Sequence, residues 1–275
     1  MIAQLPLMRE MRASYAFVER NVHLSKRYWG WEATFLLYSV AQSASVIYIA
    51  QVVPQFTHAQ AQKLTLYLAI GALTWSYMAN MFLAIAESVQ WERWEGTIEY
   101  TMMAPVSLIT YILGSCLFGV LYGLVRTAIV LVVLAWMFHL TATAAAILPV
   151  IVIVSIGSLS FVGLGIMAAT LHLLFTEKGA QMTYVIEACL LLVSGVYYDI
   201  HVLPAWIQPL SHISPATYVL KGTRQVLLGH PSASDIIANL IPLIVIGIVT
   251  IPLGIWLFTT AQRFAKKTGR LKRTG

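Results

Sequence analysis

Charge is what this chain has least of. Only 10% of its 275 residues are Asp, Glu, Lys or Arg, where a soluble domain carries roughly 25%. Such a chain cannot cover a water-facing surface, so a soluble globular protein is excluded. Disorder is excluded too, since it needs high charge and few apolar residues. Cysteine is nearly absent: Cys116 and Cys189 both lie in apolar runs, where a thiol packs as a small hydrophobe, and no disulfide framework is expected. No Gly-Lys pair occurs anywhere, so no P-loop can cradle ATP phosphates. The H-E-x-x-H and G-x-S-x-G signatures are missing as well. Of the seven histidines, His139, His172, His201 and His212 fall near the ends of apolar segments, as interfacial histidines do. No catalytic residue and no metal ligand is assigned, and an intramembrane enzyme is the rival class. No apolar stretch precedes Arg9, Glu10, Arg12, Glu19, Arg20, Lys26, Arg27 and Glu32, so no cleavable signal is expected and the first span directs insertion itself.

Apolar residues make up 59% of the chain and the mean hydropathy is +0.78. One membrane-spanning helix takes about 20 of them, which allows six spans. The expected architecture is an all-α membrane protein of one domain, 1–275, with spans at 33–53, 64–86, 108–138, 144–175, 180–198 and 236–258. Residues 1–32 read as an amphipathic interfacial helix: Tyr15, Val18 and Val22 recur at helical spacing, and Tyr28, Trp29 and Trp31 form an aromatic belt. Pro54 ends the first span, and Thr176 to Gly179 form a tight loop. Residues 199–235 combine Pro204, Pro209 and Pro215 with apolar residues too few to span. Two short helices that enter the membrane and return fit that composition. A basic tail, 259–275, follows.

Six spans put both termini on one side. That side collects Arg9, Arg12, Arg20, Lys26, Arg27, Arg93, Lys178, Arg263, Lys266, Lys267, Arg270, Lys272 and Arg273, thirteen of the seventeen basic residues. The positive-inside rule then makes both termini cytoplasmic. The excess of base reads as topology and contact with anionic membrane lipid, with no nucleic-acid partner.

The insert 87–107 breaks that bias. It carries Glu92, Glu95 and Glu99 at helical spacing, with Trp91, Trp94, Ile98 and Met102 on a neighbouring face and Pro105 as a stop. An amphipathic cytoplasmic helix is expected. Its acidic face either meets a basic groove on a partner protein or is simply solvated. Inside the spans, Arg126 and Glu187 are the costly ionisable groups. Glu187 shares a face with Tyr184, Leu191, Ser194 and Tyr198, and the second span shows a similar stripe of Tyr77, Asn80, Ala84 and Glu87. Either Glu187 lines a polar route, or it neutralises Arg126 to hold the bundle. Gly119-x-x-x-Gly123 and Gly165-x-x-x-Ala169 permit close helix approach and need no other role.

The run Glu92-Arg93-Trp94-Glu95-Gly96-Thr97-Ile98-Glu99, followed by Pro105-Val106-Ser107 between the second and third spans, resembles the membrane subunit of type 2 ABC exporters. So do Ser194-Gly195-Val196-Tyr197-Tyr198, Leu203-Pro204-Ala205-Trp206, Ile213-Ser214-Pro215-Ala216-Thr217-Tyr218 and the Arg27-Tyr28-Trp29-Gly30-Trp31 elbow. Tyr197-Tyr198-Asp199 departs from the Phe-Pro or Tyr-Pro of many relatives. The resemblance implies that Glu92, Arg93, Glu95, Gly96, Thr97 and Glu99 couple to an ABC ATPase subunit, present in two copies and using the ATP and Mg2+. It also implies a second permease subunit, identical or a sister, in the cytoplasmic membrane. Second and fifth spans would then line the substrate route, with Tyr77, Asn80, Tyr184, Glu187, Ser194, Tyr197 and Tyr198 as its candidates. Aromatic and Met residues predominate there, which favours a drug or lipid; aromatics also stack on sugars, which keeps a lipid-linked polysaccharide open.

Overall fold

A computed structural model describes residues 6–52, 57–104, 107–139, 144–175, 178–229 and 232–268. The expected stops at Pro54 and Pro105, the Thr176-Glu177 half of the tight loop and the tail beyond Thr268 lie outside the described residues. Every regular element among those described is helical: α1 (Pro6–Arg27), α2 (Trp29–Val52), α3 (His58–Ala86), α4 (Ser88–Glu95), α5 (Ile98–Met103), α6 (Leu108–Phe138), α7 (Ala144–Leu174), α8 (Gly179–Val193), α9 (Gln208–Ser211), α10 (Pro215–Leu228) and α11 (Ala233–Thr268), with a 3-10 turn at Ile200–Val202.

Five helices, α2, α3, α6, α7 and α11, are long and apolar enough to cross a membrane. Their starts are locally encoded. The Gln60 side chain accepts the Thr57 backbone N–H at 3.0 Å, and Ser107 Oγ accepts the Thr110 N–H at 3.1 Å, each satisfying a donor that a helix start leaves unpaired. At the centre stands α3, with 72% of its apolar window buried against 22–33% for the other four. Met78, Met81, Phe82 and Ile85 of α3 form the main core with Ile153, Phe161 and Leu173 of α7 and Phe258 of α11. The small residues foreseen as packing sites meet α3: Gly119 and Gly165 both face Ile85.

The fifth expected span, 180–198, is the shorter apolar helix α8. Its 15 residues reach about 22 Å at 1.5 Å each, against a hydrocarbon core of about 30 Å. It stops at Val193, before the expected end at Tyr198, because the chain is caught there. Gly195 takes a φ of +66°. Arg224 of α10 donates to the Gly195 carbonyl at 2.9 Å and to that of Val196, which neutralises a helix end rich in unpaired acceptors. The same guanidinium lies 3.7 Å from the centroid of the Tyr67 ring. A Cβ at Gly71 would collide with the Val196 carbonyl oxygen, so α3 admits this turn only where it carries glycine.

One further expectation is refined and another corrected. Residues 199–235 hold two short helices, but of unequal length: the 3-10 turn and the single turn α9 fill the first half, and α10 is a 14-residue helix. Its Ala216, Val219, Leu220 and Val226 are buried, and it packs among α3, α7 and α11. The helix foreseen through 92–102 is also two helices, α4 and α5. Gly96 ends α4 at a φ of 71° and a ψ of 18°. Its N–H bonds to Arg93 O at 3.1 Å and the Thr97 N–H to Glu92 O at 2.9 Å, the double closure of a Schellman cap.

Helix α1 does not merely lie along an interface. Ser14 Oγ donates to Thr110 O at 3.3 Å, Phe17 meets Tyr111 edge to face at 5.4 Å, and Glu10 accepts from Thr110 Oγ1. Tyr15, expected on the apolar face, is exposed, whereas Val18 is buried. α1 therefore docks on α6 through Ser14 and Phe17.

Candidate functional site: a chamber between the span-length helices and the α4 segment

A chamber of about 700 Å³ lies between α1, α2, α3, α4, α6 and α8. Helical periodicity builds each wall. α3 contributes Ala72, Trp75, Ser76, Ala79, Asn80 and Leu83, with Glu87 just past its end; α8 contributes Tyr184, Glu187 and Leu191; α6 contributes Phe118, Tyr122 and Arg126. These recur three or four residues apart, on one face of each helix. Phe35, Tyr38 and Ser39 come from α2, Arg20 and Leu24 from α1, and Trp91, Glu92 and Glu95 from α4. A space of this size with mixed aromatic and polar walls is the ordinary form of a small-molecule site.

Of the expected route residues, Asn80, Tyr184, Glu187 and Tyr197 line the chamber. Tyr77 is turned a third of a turn away and bonds to Ser158 of α7 at 2.7 Å. Ser194 is buried against Ser214 at 2.7 Å, and Tyr198 donates to Leu192 O; both hold the end of α8. Glu187 and Arg126 line the same chamber without an ion pair between them among the described residues. The Arg126 guanidinium instead reaches Phe35 O at 2.7 Å, Ser39 Oγ at 2.8 Å and Tyr122 Oη at 3.2 Å. Tyr122 in turn donates to Glu32. This chain ties α6 to α2.

The α4 segment closes the chamber at the far end of α3. Glu92 is only 2% exposed, and its carboxylate takes the Arg20 guanidinium at 2.6 Å. Burial raises its pKa above the ordinary glutamate value, and the Arg20 charge opposes the rise. Arg93 is buried as well and donates to Leu173 O at 2.7 Å. Glu95 accepts the Tyr28 hydroxyl at 2.7 Å. Thus the acidic face that ran against the local charge bias has a counterpart inside the chain, on α1. Among the described side chains of this segment, Trp94, Glu99, Tyr100 and Met103 are exposed. Glu87, next to the end of α3, accepts from Tyr184 Oη at 2.8 Å; burial raises its pKa, and that hydrogen bond partly offsets the rise.

Sequence reasoning missed Glu32, Phe35, Tyr38, Trp91 and Tyr122 as wall residues. Two signals pointed to them: a glutamate at the start of an apolar span, and a tyrosine one turn before the intramembrane Arg126. No group of His, Cys, Asp or Glu among the described residues is placed to hold a metal ion.

A bundle of span-length apolar helices around such a chamber, closed by short amphipathic helices, is the membrane domain of a multi-pass helical protein. The sequence profile of the ABC-2 type transporter family matches residues 18–228, and the chain belongs to that family. It is 27% identical over 167 residues to the inner membrane transport permease YadH of Escherichia coli K12, and equally to that of Shigella flexneri, covering 59% of this chain and 62% of the relative. To the protein named "Probable multidrug ABC transporter permease YbhR" of Escherichia coli K12 it is 26% identical over 172 residues, covering 62% of this chain and 46% of the relative. The chain therefore spans less than two thirds of the length of either.

Proposed function

We propose that the chain is the permease subunit of an ATP-driven exporter that moves a hydrophobic or amphipathic molecule, a drug or a lipid, out across the cytoplasmic membrane. One observation carries this reading: the α4 segment is itself a wall of the chamber, through Trp91, Glu92 and Glu95. A movement of α4 must reshape the space where a ligand would sit. The exposed Trp94, Glu99, Tyr100 and Met103 then offer a surface to an ABC ATPase subunit, two copies of which would serve two permease protomers, identical or sister. ATP and Mg2+ belong to that subunit, since this chain lacks a P-loop. The printed names of the relatives, a transport permease and a multidrug ABC transporter permease, support the same class.

The test is copurification and transport. Tagged chain should capture an ABC ATPase from its own cells, and inverted vesicles holding both should accumulate a lipophilic dye only when ATP is supplied. Capture of no ATPase, or accumulation that ignores ATP, would refute the proposal. Orientation has its own check. A cysteine at Thr268 should stay closed to an impermeant thiol reagent outside the cell, while one at Gln60 should react; the reverse pattern overturns cytoplasmic termini.

A further inference from the structure

Five carboxylates line the chamber, Glu32, Glu87, Glu92, Glu95 and Glu187, against two guanidinium groups, Arg20 and Arg126. Both cations are committed to the walls. Arg20 is held by Glu92 at 2.6 Å, and Arg126 bonds to Phe35 O, Ser39 Oγ and Tyr122 Oη, with Glu32 closing that chain through Tyr122. The other three carboxylates have no cation partner among the described residues. Glu87 receives the Tyr184 hydroxyl at 2.8 Å and Glu95 the Tyr28 hydroxyl at 2.7 Å, neutral donors that leave the negative charge uncompensated. Glu187 has no hydrogen-bond or ion-pair partner among the described residues, though it stands on the chamber wall. It lies about 12 Å along α8 from Gly179, with Tyr184 one turn before it.

The remaining walls mix small polar and aliphatic residues with aromatic ones. Phe35, Tyr38, Trp75, Phe118 and Tyr197 surround the same space, and the face of an aromatic ring attracts a cation while its body packs on apolar groups. A volume of about 700 Å³ suits one drug-sized molecule. An anion would meet three uncompensated carboxylates, and a neutral molecule would leave Glu187 desolvated without a partner, which is costly. From this balance of charge and surface we infer that the chamber selects amphipathic cations, with Glu187 as the principal counter-ion, Glu87 as the second and the aromatic walls holding the apolar body. The inference rests on reading the chamber as the place where substrate binds.

Tetraphenylphosphonium and tetraphenylborate supply the test, being near-identical in shape and opposite in charge, with triphenylphosphine oxide as the neutral probe. Equilibrium dialysis against the purified full chain in non-ionic detergent, with a detergent-only blank, measures each. The cation should bind about tenfold tighter than either other probe or better. Glu187→Gln should lose about tenfold of the cation's affinity and shift the neutral probe by less than about twofold, while Glu187→Asp keeps the preference. Should Glu187→Gln elute as aggregate, Glu87→Gln must show a loss confined to the cation. Equal binding of borate or oxide by the unaltered protein, no saturable binding of any probe, or an unchanged preference in the glutamine variants would each overturn the inference. Loss of ATPase capture with cation binding intact would instead refute the exporter reading and leave the cation site standing.

Discussion

If the chain couples to an ATPase as proposed, Gly96→Pro will leave it inserted in the membrane and remove substrate-stimulated ATP hydrolysis by that subunit. Gly96 sits at a φ of 71°, and proline is locked near −65°. The substitution also deletes the N–H that bonds to Arg93 O at 3.1 Å. The cap between α4 and α5 must then open, and the exposed Trp94, Glu99, Tyr100 and Met103 lose their common placement. The spans contribute nothing to that cap, so insertion and assembly should survive. A fall of about tenfold or more in stimulated hydrolysis is expected, since a rearranged contact of even 1.4 kcal/mol gives that factor. Gly96→Ala is the graded control: an L-residue in the left-handed region costs about 1–2 kcal/mol but keeps the N–H, so part of the stimulation should remain. Full stimulation in the proline variant would remove α4 and α5 from the coupling path.

Arg20→Ala should be strongly destabilising. It strands the Glu92 carboxylate, 2% exposed, without the guanidinium at 2.6 Å. Removing one partner of a buried ion pair costs about 3–5 kcal/mol. Arg20 keeps 31% of its side chain exposed, which places the loss near the lower end, about 3 kcal/mol. Arg20→Ala combined with Glu92→Gln should recover most of the loss, because no buried charge is left behind. The deficit also has a pH sign. Burial already raises the Glu92 pKa, and Arg20 opposes that rise, so without Arg20 the folded state favours the protonated carboxyl more strongly. A carboxyl whose folded value is raised loses stability as pH climbs from the ordinary glutamate range towards that value. The gap between variant and parent should therefore narrow on acidification from about pH 8 to about pH 5. Thermal unfolding in detergent measures both effects; a gap that is constant with pH, or a double variant no better than the single one, would contradict the pairing.

The five span-length helices were legible because a bilayer demands about 20 apolar residues in a row, and nothing else in a sequence mimics that. Where each helix stops was less legible. The end of α8 is decided by Arg224 and Gly71, from α10 and α3, which lie far from Val193 in sequence. The break at Gly96 rests on one glycine whose left-handed φ is not visible in periodicity.

The candidate site divides along the same line. The stripes on α3 and α8 follow from the 3.6-residue period, which brought Asn80, Glu87, Tyr184 and Glu187 into view. That period cannot say which face meets which neighbour, so Tyr77 was grouped with Asn80 although it bonds to Ser158. The contribution of α1, α2 and α6 depends on how those helices dock. Glu92 shows the effect best: its acidic character suggested an outside partner, yet its cation stands on α1, 72 residues earlier in the chain.

Because Trp91, Glu92 and Glu95 belong at once to the chamber wall and to the α4 segment, a ligand in the chamber and an ATPase on α4, both as proposed, would act on the same residues. Linkage makes such an effect reciprocal: whatever factor a bound ligand adds to the affinity for the ATPase, the docked ATPase returns to the ligand. The permease would thus hold its cargo most tightly, or most loosely, according to whether the motor is seated. One shared strip of eight residues, Ser88–Glu95, would be enough to synchronise loading with docking, with no longer relay through the bundle.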